Sequence, residues 1–134
     1  MIYATIDTNV LVSALLSKSK ESTISRLLSY LWNDELVPLY NAEIIDEYND
    51  VLSRGCFHFN NKLKDALVEG IKRHGIESSR VPFDEPMLDE DDRVFYEVTL
   101  SKDDAYLVTG NQKHFPKAPI VVTPAEMLAI LEQD

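Results

Sequence analysis

The stretch MIYATIDTNVLVSALL, residues 1–16, sets a short β-branched strand directly against the polar trio Asp7-Thr8-Asn9 and then against an apolar helix. Ile2, Tyr3, Thr5 and Ile6 suit a buried central strand, which here ends on a carboxylate rather than on a Gly or Lys turn. In open parallel sheets, ligands gather just beyond the carboxyl ends of the strands, so Asp7 occupies a position where chemistry is commonly done. The same residues also suit a plain helix start, because Asp and Thr side chains accept hydrogen bonds from free helix N–H groups. Which role Asp7 plays depends on whether other carboxylates converge on it.

The bulk numbers set the frame. A chain of 134 residues with 45% hydrophobic content is large enough for one good core, and the expectation is a single domain over residues 1–134. Residues 1–16 lack the basic start and cleavage site of a secretory signal, and no stretch is long enough to span a membrane. A single cysteine, Cys56, cannot form an internal disulfide and fits a cytoplasmic location; with no Cys/His signature around it, it reads as structural. The net charge of −10 excludes a surface that coats nucleic acid broadly, though not an enzyme that meets a polyanion locally through bound cations. Lys62, Lys64, Lys72 and Arg73 on one expected helix, with Lys18, Lys20 and Arg26 near the first, read chiefly as solvated helix faces.

Periodicity and turn chemistry predict strands at 2–6, 36–39, 79–81, 105–108 and 119–122. Helices are predicted at 8–17, 21–33, 41–53, 60–74, 91–101 and 124–132. Asn41 caps the third helix, and Thr123-Pro124-Ala125-Glu126 opens the last with Pro at the first helical position. Short buried strands alternating with helices imply a three-layer α/β/α domain around a central, mostly parallel sheet of four to five strands.

Three places carry the polar chemistry. The 41–53 helix has Glu43, Asp46, Glu47 and Asp50 beside an apolar stripe of Ile44, Ile45, Tyr48, Val51 and Leu52. At about 100° per residue, Glu47 falls nearest that stripe while Asp46 and Asp50 point away, so Glu47 is the acid able to lean into a cleft. Six acids crowd the nine residues from Asp84 to Asp92. Most of that run must be solvated, since clustered charges repel when buried; Asp92, opening the next helix, is preferred over Asp91 as a site residue, with Glu97 one turn on as a further candidate. Finally, the strand ending at Val108 runs into Thr109-Gly110-Asn111, a good turn and also a second polar strand end. If Asp7, Glu47 and Asp92 meet, they cannot all stay ionised unaided: either their pKa values rise or a cation enters. Oxygen-only ligands select a hard ion, Mg²⁺ or Mn²⁺, able to neutralise a phosphate and lower the pKa of a bound water.

The segments IDTNVLVSALL (6–16), EIIDEYNDVL (43–52), DEDDRVFYEVTL (89–100), AYLVTGNQKHFP (105–116) and IVVTPAEML (120–128) together resemble the PIN-domain family of metal-dependent ribonucleases. Within that family they are most similar to bacterial toxins of toxin–antitoxin pairs. The resemblance implies a PIN-like fold and places the family's acids on Asp7, Glu47 and Asp92 as metal ligands and catalytic residues. It also implies supporting positions at Thr8, Asn9 and Thr109, an RNA substrate, a small antitoxin partner and a homodimer. Asn111 stands where many PIN nucleases carry a fourth acid, which implies weaker metal binding; with Thr109 it would position water. Lys113 and His114 are candidates for an RNA-phosphate contact, although His114 reads first as a loop residue packed beside Phe115 and Pro116.

The reading is therefore an Mg²⁺- or Mn²⁺-dependent endoribonuclease acting as a toxin. The alternative is a catalytically weak PIN domain that binds RNA or protein. A phosphatase using Asp7 as nucleophile would want a second Asp where Asn9 stands, and an amide cannot shuttle a proton. Dinucleotide binding lacks its glycine-rich turn. Leu27, Leu28, Leu31 and Trp32 suit core packing first and antitoxin contact second.

Overall fold

The computed structural model describes residues 1–55 and 57–133, so the reading of Cys56 lies outside the described residues. These residues form strands Ile2–Ile6 (β1), Leu36–Tyr40 (β2), Ile76–Glu77 (β3), Tyr106–Val108 (β4) and Val121–Val122 (β5). The helices are Thr8–Leu16 (α1), Thr23–Trp32 (α2), Ala42–Leu52 (α3), Asn61–His74 (α4), Arg93–Thr99 (α5) and Pro124–Leu131 (α6). The sheet is parallel throughout, in the order β3-β2-β1-β4-β5. The expected three-layer α/β/α architecture is the one observed.

The strand order matters for the site. From β1 the chain moves outward to β2 and β3, then returns across the sheet to β4 and β5 on the other side of β1. The crossovers therefore diverge between β1 and β4, and a crevice opens at the carboxyl ends of those two strands. Asp7 follows β1 and Thr109 follows β4.

The sheet's core is Ala4, Ile6, Leu36, Leu39, Leu107 and Val108. Ile44, Tyr48 and Leu52 of α3 bury one face at spacing i, i+4, i+8, and Leu67, Val68 and Ile71 of α4 bury another at i, i+1, i+4. Leu27 and Leu31 are core residues of α2, while Leu28 and Trp32 border an apolar groove with Leu15, Leu63 and Gly70. Arg26, Lys64 and Lys72 are engaged locally with Glu132, Ser53 and Glu69 respectively.

Helix starts follow the local chemistry. Asn41 Oδ1 accepts from Ile44 N at 2.9 Å, and Thr123 with Glu126 forms a reciprocal capping box before Pro124. One helix departs from expectation: the predicted 91–101 helix begins as a 3₁₀ turn, Glu90–Asp92, because Asp89 caps it by accepting from Asp91 N at 3.0 Å.

The third strand also differs. It was expected at 79–81 and lies at Ile76–Glu77, paired with Leu39 and Tyr40. Gly75 explains the shift: a Cβ there would lie 2.5 Å from both Ile71 O and Pro38 O, so only glycine lets the chain leave α4 hard against β2. The approach of Pro38 O also shows that Pro38 turns its backbone polar side toward β3, where pairing begins only at Leu39. A proline is thus accommodated in β2 without losing a ladder bond. Residues 79–81 run instead along α5, with Val81 N donating to Glu97 O at 3.0 Å. Gly75→Ala is expected to destabilise the protein by about 1–3 kcal/mol in chemical denaturation. Gly55→Ala, where nothing lies within 4 Å of the added carbon, is expected to stay within about 0.5 kcal/mol of the parent.

Candidate active site

Asp7 is the residue before α1, but its carboxylate makes no capping hydrogen bond there. Instead it turns toward β4, where the Thr109 hydroxyl donates to Asp7 Oδ2 at 2.7 Å. Asp7 N donates to Val108 O at 2.9 Å, and Gly110 N donates to Asn9 Oδ1 at 3.2 Å, so the two strand ends are stitched from both sides. Thr109 Oγ1 also accepts from Asn111 N at 2.9 Å, so this one hydroxyl fixes both Asp7 and the turn that carries Asn111. Asp7 is only 6% exposed, and burial pushes its carboxyl pKa up, against the Thr109 hydrogen bond that favours the ionised form.

Around Asp7 lies a cleft of about 370 Å³ lined by Thr8, Asn9, Glu47, Arg54, Asp89, Asp91, Asp92, Asn111 and His114, with Val12, Val51, Phe57 and Phe95 as its apolar wall. The sequence-derived residues Asp7, Glu47, Asp92, Asn111, Thr8, Asn9 and Asp91 thus border one space. Glu47 reaches it because Tyr48, the next residue on α3, is fully buried and donates its hydroxyl to Ile6 O at the end of β1, which fixes the rotation of the helix. Asp46 and Asp50 are exposed.

The acids feel one another. Glu47 is raised first by burial and then by the charges of Asp91 and Asp50, with Arg54 opposing. Asp92 is pushed up to about 6 by burial and by the charges of Asp7 and Asp89, with His114 opposing. Thr8 Oγ1 is buried on this cleft with no hydrogen-bond partner among the described residues. Carboxylate oxygens under mutual repulsion, beside an unpaired hydroxyl, suit a hard divalent cation. Among the described residues, no group of three or more acidic, His or Cys side chains is drawn together closely enough to hold a metal ion.

Other expected residues lie elsewhere. Glu97 is outside the cleft: its carboxylate accepts from Arg80 Nε at 2.7 Å and from Phe83 N at 2.8 Å, and Arg80 Nη1 also reaches Glu43 at 2.7 Å. Its role is to hold the 80–83 segment on α5, which corrects the reading of Glu97 as support for the acids. Lys113 borders a separate cleft with Phe115, Pro116 and Lys117. His114 faces Asp92, with Nδ1 3.3 Å from Asp92 Oδ2, rather than standing free toward a phosphate. Thr109 is committed to Asp7 and Asn111 N rather than to water.

Sequence reading missed Asp89, Arg54 and Phe57 in the cleft wall. Asp89 carried a usable signal, an Asp two residues before an N–H it caps. Arg54 and Phe57 follow α3 and carry no such local signal.

A family model described as PIN domain matches residues 3–113 of the chain. No curated protein and no solved structure matches it.

The pKa shift of Asp92 has a stability consequence in metal-free buffer. Its folded value of about 6 lies above the ordinary value of 3.8, so ionisation disfavours the folded state, and stability falls as pH rises through that window. Asp92→Asn is therefore expected to stabilise the metal-free protein by roughly 1–3 kcal/mol at pH 7. The gain should vanish below about pH 4, as read by denaturant unfolding across pH.

Proposed function

The chain belongs to the PIN-domain family, whose members are in general nucleases, and on that premise we propose that it is an Mg²⁺- or Mn²⁺-dependent endoribonuclease. The observation that carries this reading is the convergence of Asp7, Glu47 and Asp92 on one cleft at the carboxyl ends of β1 and β4. These three carboxylates would hold the cation, with Asp89 and Asp91 adding negative potential at the rim. When bound, the cation supplies charge neutralisation at a phosphodiester and an activated water at neutral pH.

The chain's own groups do the positioning. Asp7 is the deepest ligand and is held by Thr109 in one rotamer. Glu47 and Asp92 flank it from α3 and from the start of α5. The exposed Asn111 amide offers both a donor for a phosphate oxygen and an acceptor for water. Arg54 and His114 are the basic groups on the cleft wall; with His114 turned to Asp92, Arg54 is the local handhold for RNA in a chain of net charge −10. The resemblance of the five segments to bacterial toxins supports a toxin role in the cytoplasm, with a small antitoxin as protein partner and a homodimer as assembly.

Asn111 favours a second reading, a weakly catalytic domain that works by binding RNA or protein, because an amide stands where many members of the family carry a fourth acid beside the other three. Mn²⁺ titration separates the two: no measurable Mn²⁺ binding with retained partner binding would select the second. For the first, the parent chain should cut RNA with Mn²⁺ and stop with chelator, and Asp7→Asn should lower the rate at least about a hundredfold. Cutting by Asp7→Asn at the parent rate would sink the assignment. Asn111→Asp should tighten Mn²⁺ binding in calorimetry, since it restores a carboxylate to the cleft.

A further inference from the structure

Phe57 is an aromatic ring in the wall of an acidic cleft, where neither cation ligation nor the core requires one. It borders the cleft beside Arg54, Val51 and Glu47. Its ring stacks on Phe59, with centroids 5.1 Å apart and planes 4° from parallel. Between them His58 takes the left-handed conformation, with φ of 52°, uncommon outside glycine and here turning the chain where the two rings lie face to face. The two phenylalanines are not equivalent. Both are half-buried, but Phe59 packs against the hydrophobic core while Phe57 lines the cleft. Phe59 thus fixes Phe57 from behind, and Phe57 is the member of the pair that meets the cleft.

A rigid aromatic face at the edge of a phosphate-processing site suits one kind of partner, a flat heterocycle. In a duplex the base faces are already stacked on one another, so only an unpaired nucleotide can offer one. The Arg54 guanidinium shares that wall and can meet a phosphate through its planar donors. We propose that Phe57 is a stacking platform for the base of the unpaired nucleotide next to the scissile phosphate. This inference rests on the nuclease reading for the identity of the phosphate it flanks.

The test uses the full chain and a short single-stranded RNA carrying 2-aminopurine, with Ca²⁺ supplied so that the RNA can bind while turnover is suppressed. Binding to the parent should quench the fluorescent base. Phe57→Leu should weaken binding about 5- to 150-fold and remove the quenching, since a base–aromatic stack contributes about 1–3 kcal/mol. Phe57→Trp, which keeps an aromatic face, should retain both, and this separates loss of stacking from loss of fold. The same RNA annealed to its complement should bind weakly and equally to parent and Phe57→Leu. Equal single-strand binding by parent and Phe57→Leu would overturn the proposal, as would duplex binding as tight as single-strand binding. Cleavage with Mn²⁺ is scored in parallel. A parent that shows Phe57-dependent quenching but cuts nothing keeps the stacking platform and removes the nuclease reading. A parent and a Phe57→Leu chain that bind and cut alike remove the platform and keep the nuclease.

Discussion

The hydrogen bond from the Thr109 hydroxyl to Asp7 carries the site, and much of the surrounding geometry follows from it. It joins residues 102 positions apart in sequence, at the two strand ends between which the crossovers diverge. A carboxylate as buried as Asp7 is costly to leave unpaired, so this donor is what lets a charged group end the central strand. Because the same oxygen accepts from Asn111 N, the loop after β4 is set by the atom that sets Asp7. The position of Asn111 relative to the acids is therefore a consequence of sheet register.

A second constraint sets the phase of α3. Tyr48 is the largest fully buried side chain of that helix, and its hydroxyl has one acceptor, the carbonyl of Ile6. Burial and the charge of Asp7 both hold the phenol protonated. With Tyr48 pinned to the end of β1, the preceding residue, Glu47, comes to the edge of the crevice rather than to open solvent. The two anchors share a logic: each ties a site-bearing element to the last residues of β1.

The residues that sequence made legible are those whose position is fixed by local rules. β1 was visible in its β-branched run, α3 in its Asn cap and apolar stripe, and α6 in its capping box. The orientation of Glu47 toward the stripe followed from helical spacing alone, and Glu47 is half-buried as that spacing requires. Legibility failed where a distant contact decides. The short third strand depends on Gly75 meeting Pro38, and Ser79-Arg80-Val81, which looked extended, belongs to α5 through Glu97. Glu97 sits on a helix that opens with site acids, so its periodicity pointed to the site; an arginine from another segment claims it instead. In the six-acid run, local reasoning separated Asp92 from its neighbours, but the cleft is bordered by Asp89 and Asp91 as well, because the 3₁₀ turn and its cap bring these three acids around one corner while Glu90 stays outside the lining.

Arg80 stands outside the cleft, yet it has a mechanical bearing on it. The acids on α3 and at the head of α5 repel one another, and that repulsion acts as an outward pressure on the two helices that carry them. Arg80 grips Glu43 on α3 with one arm of its guanidinium and Glu97 on α5 with the other. It works as a tie-bar between walls under load, placed where it contributes no positive charge to the crevice lining itself. The gap between the opposing carboxylates is thereby held as a dimension of the scaffold.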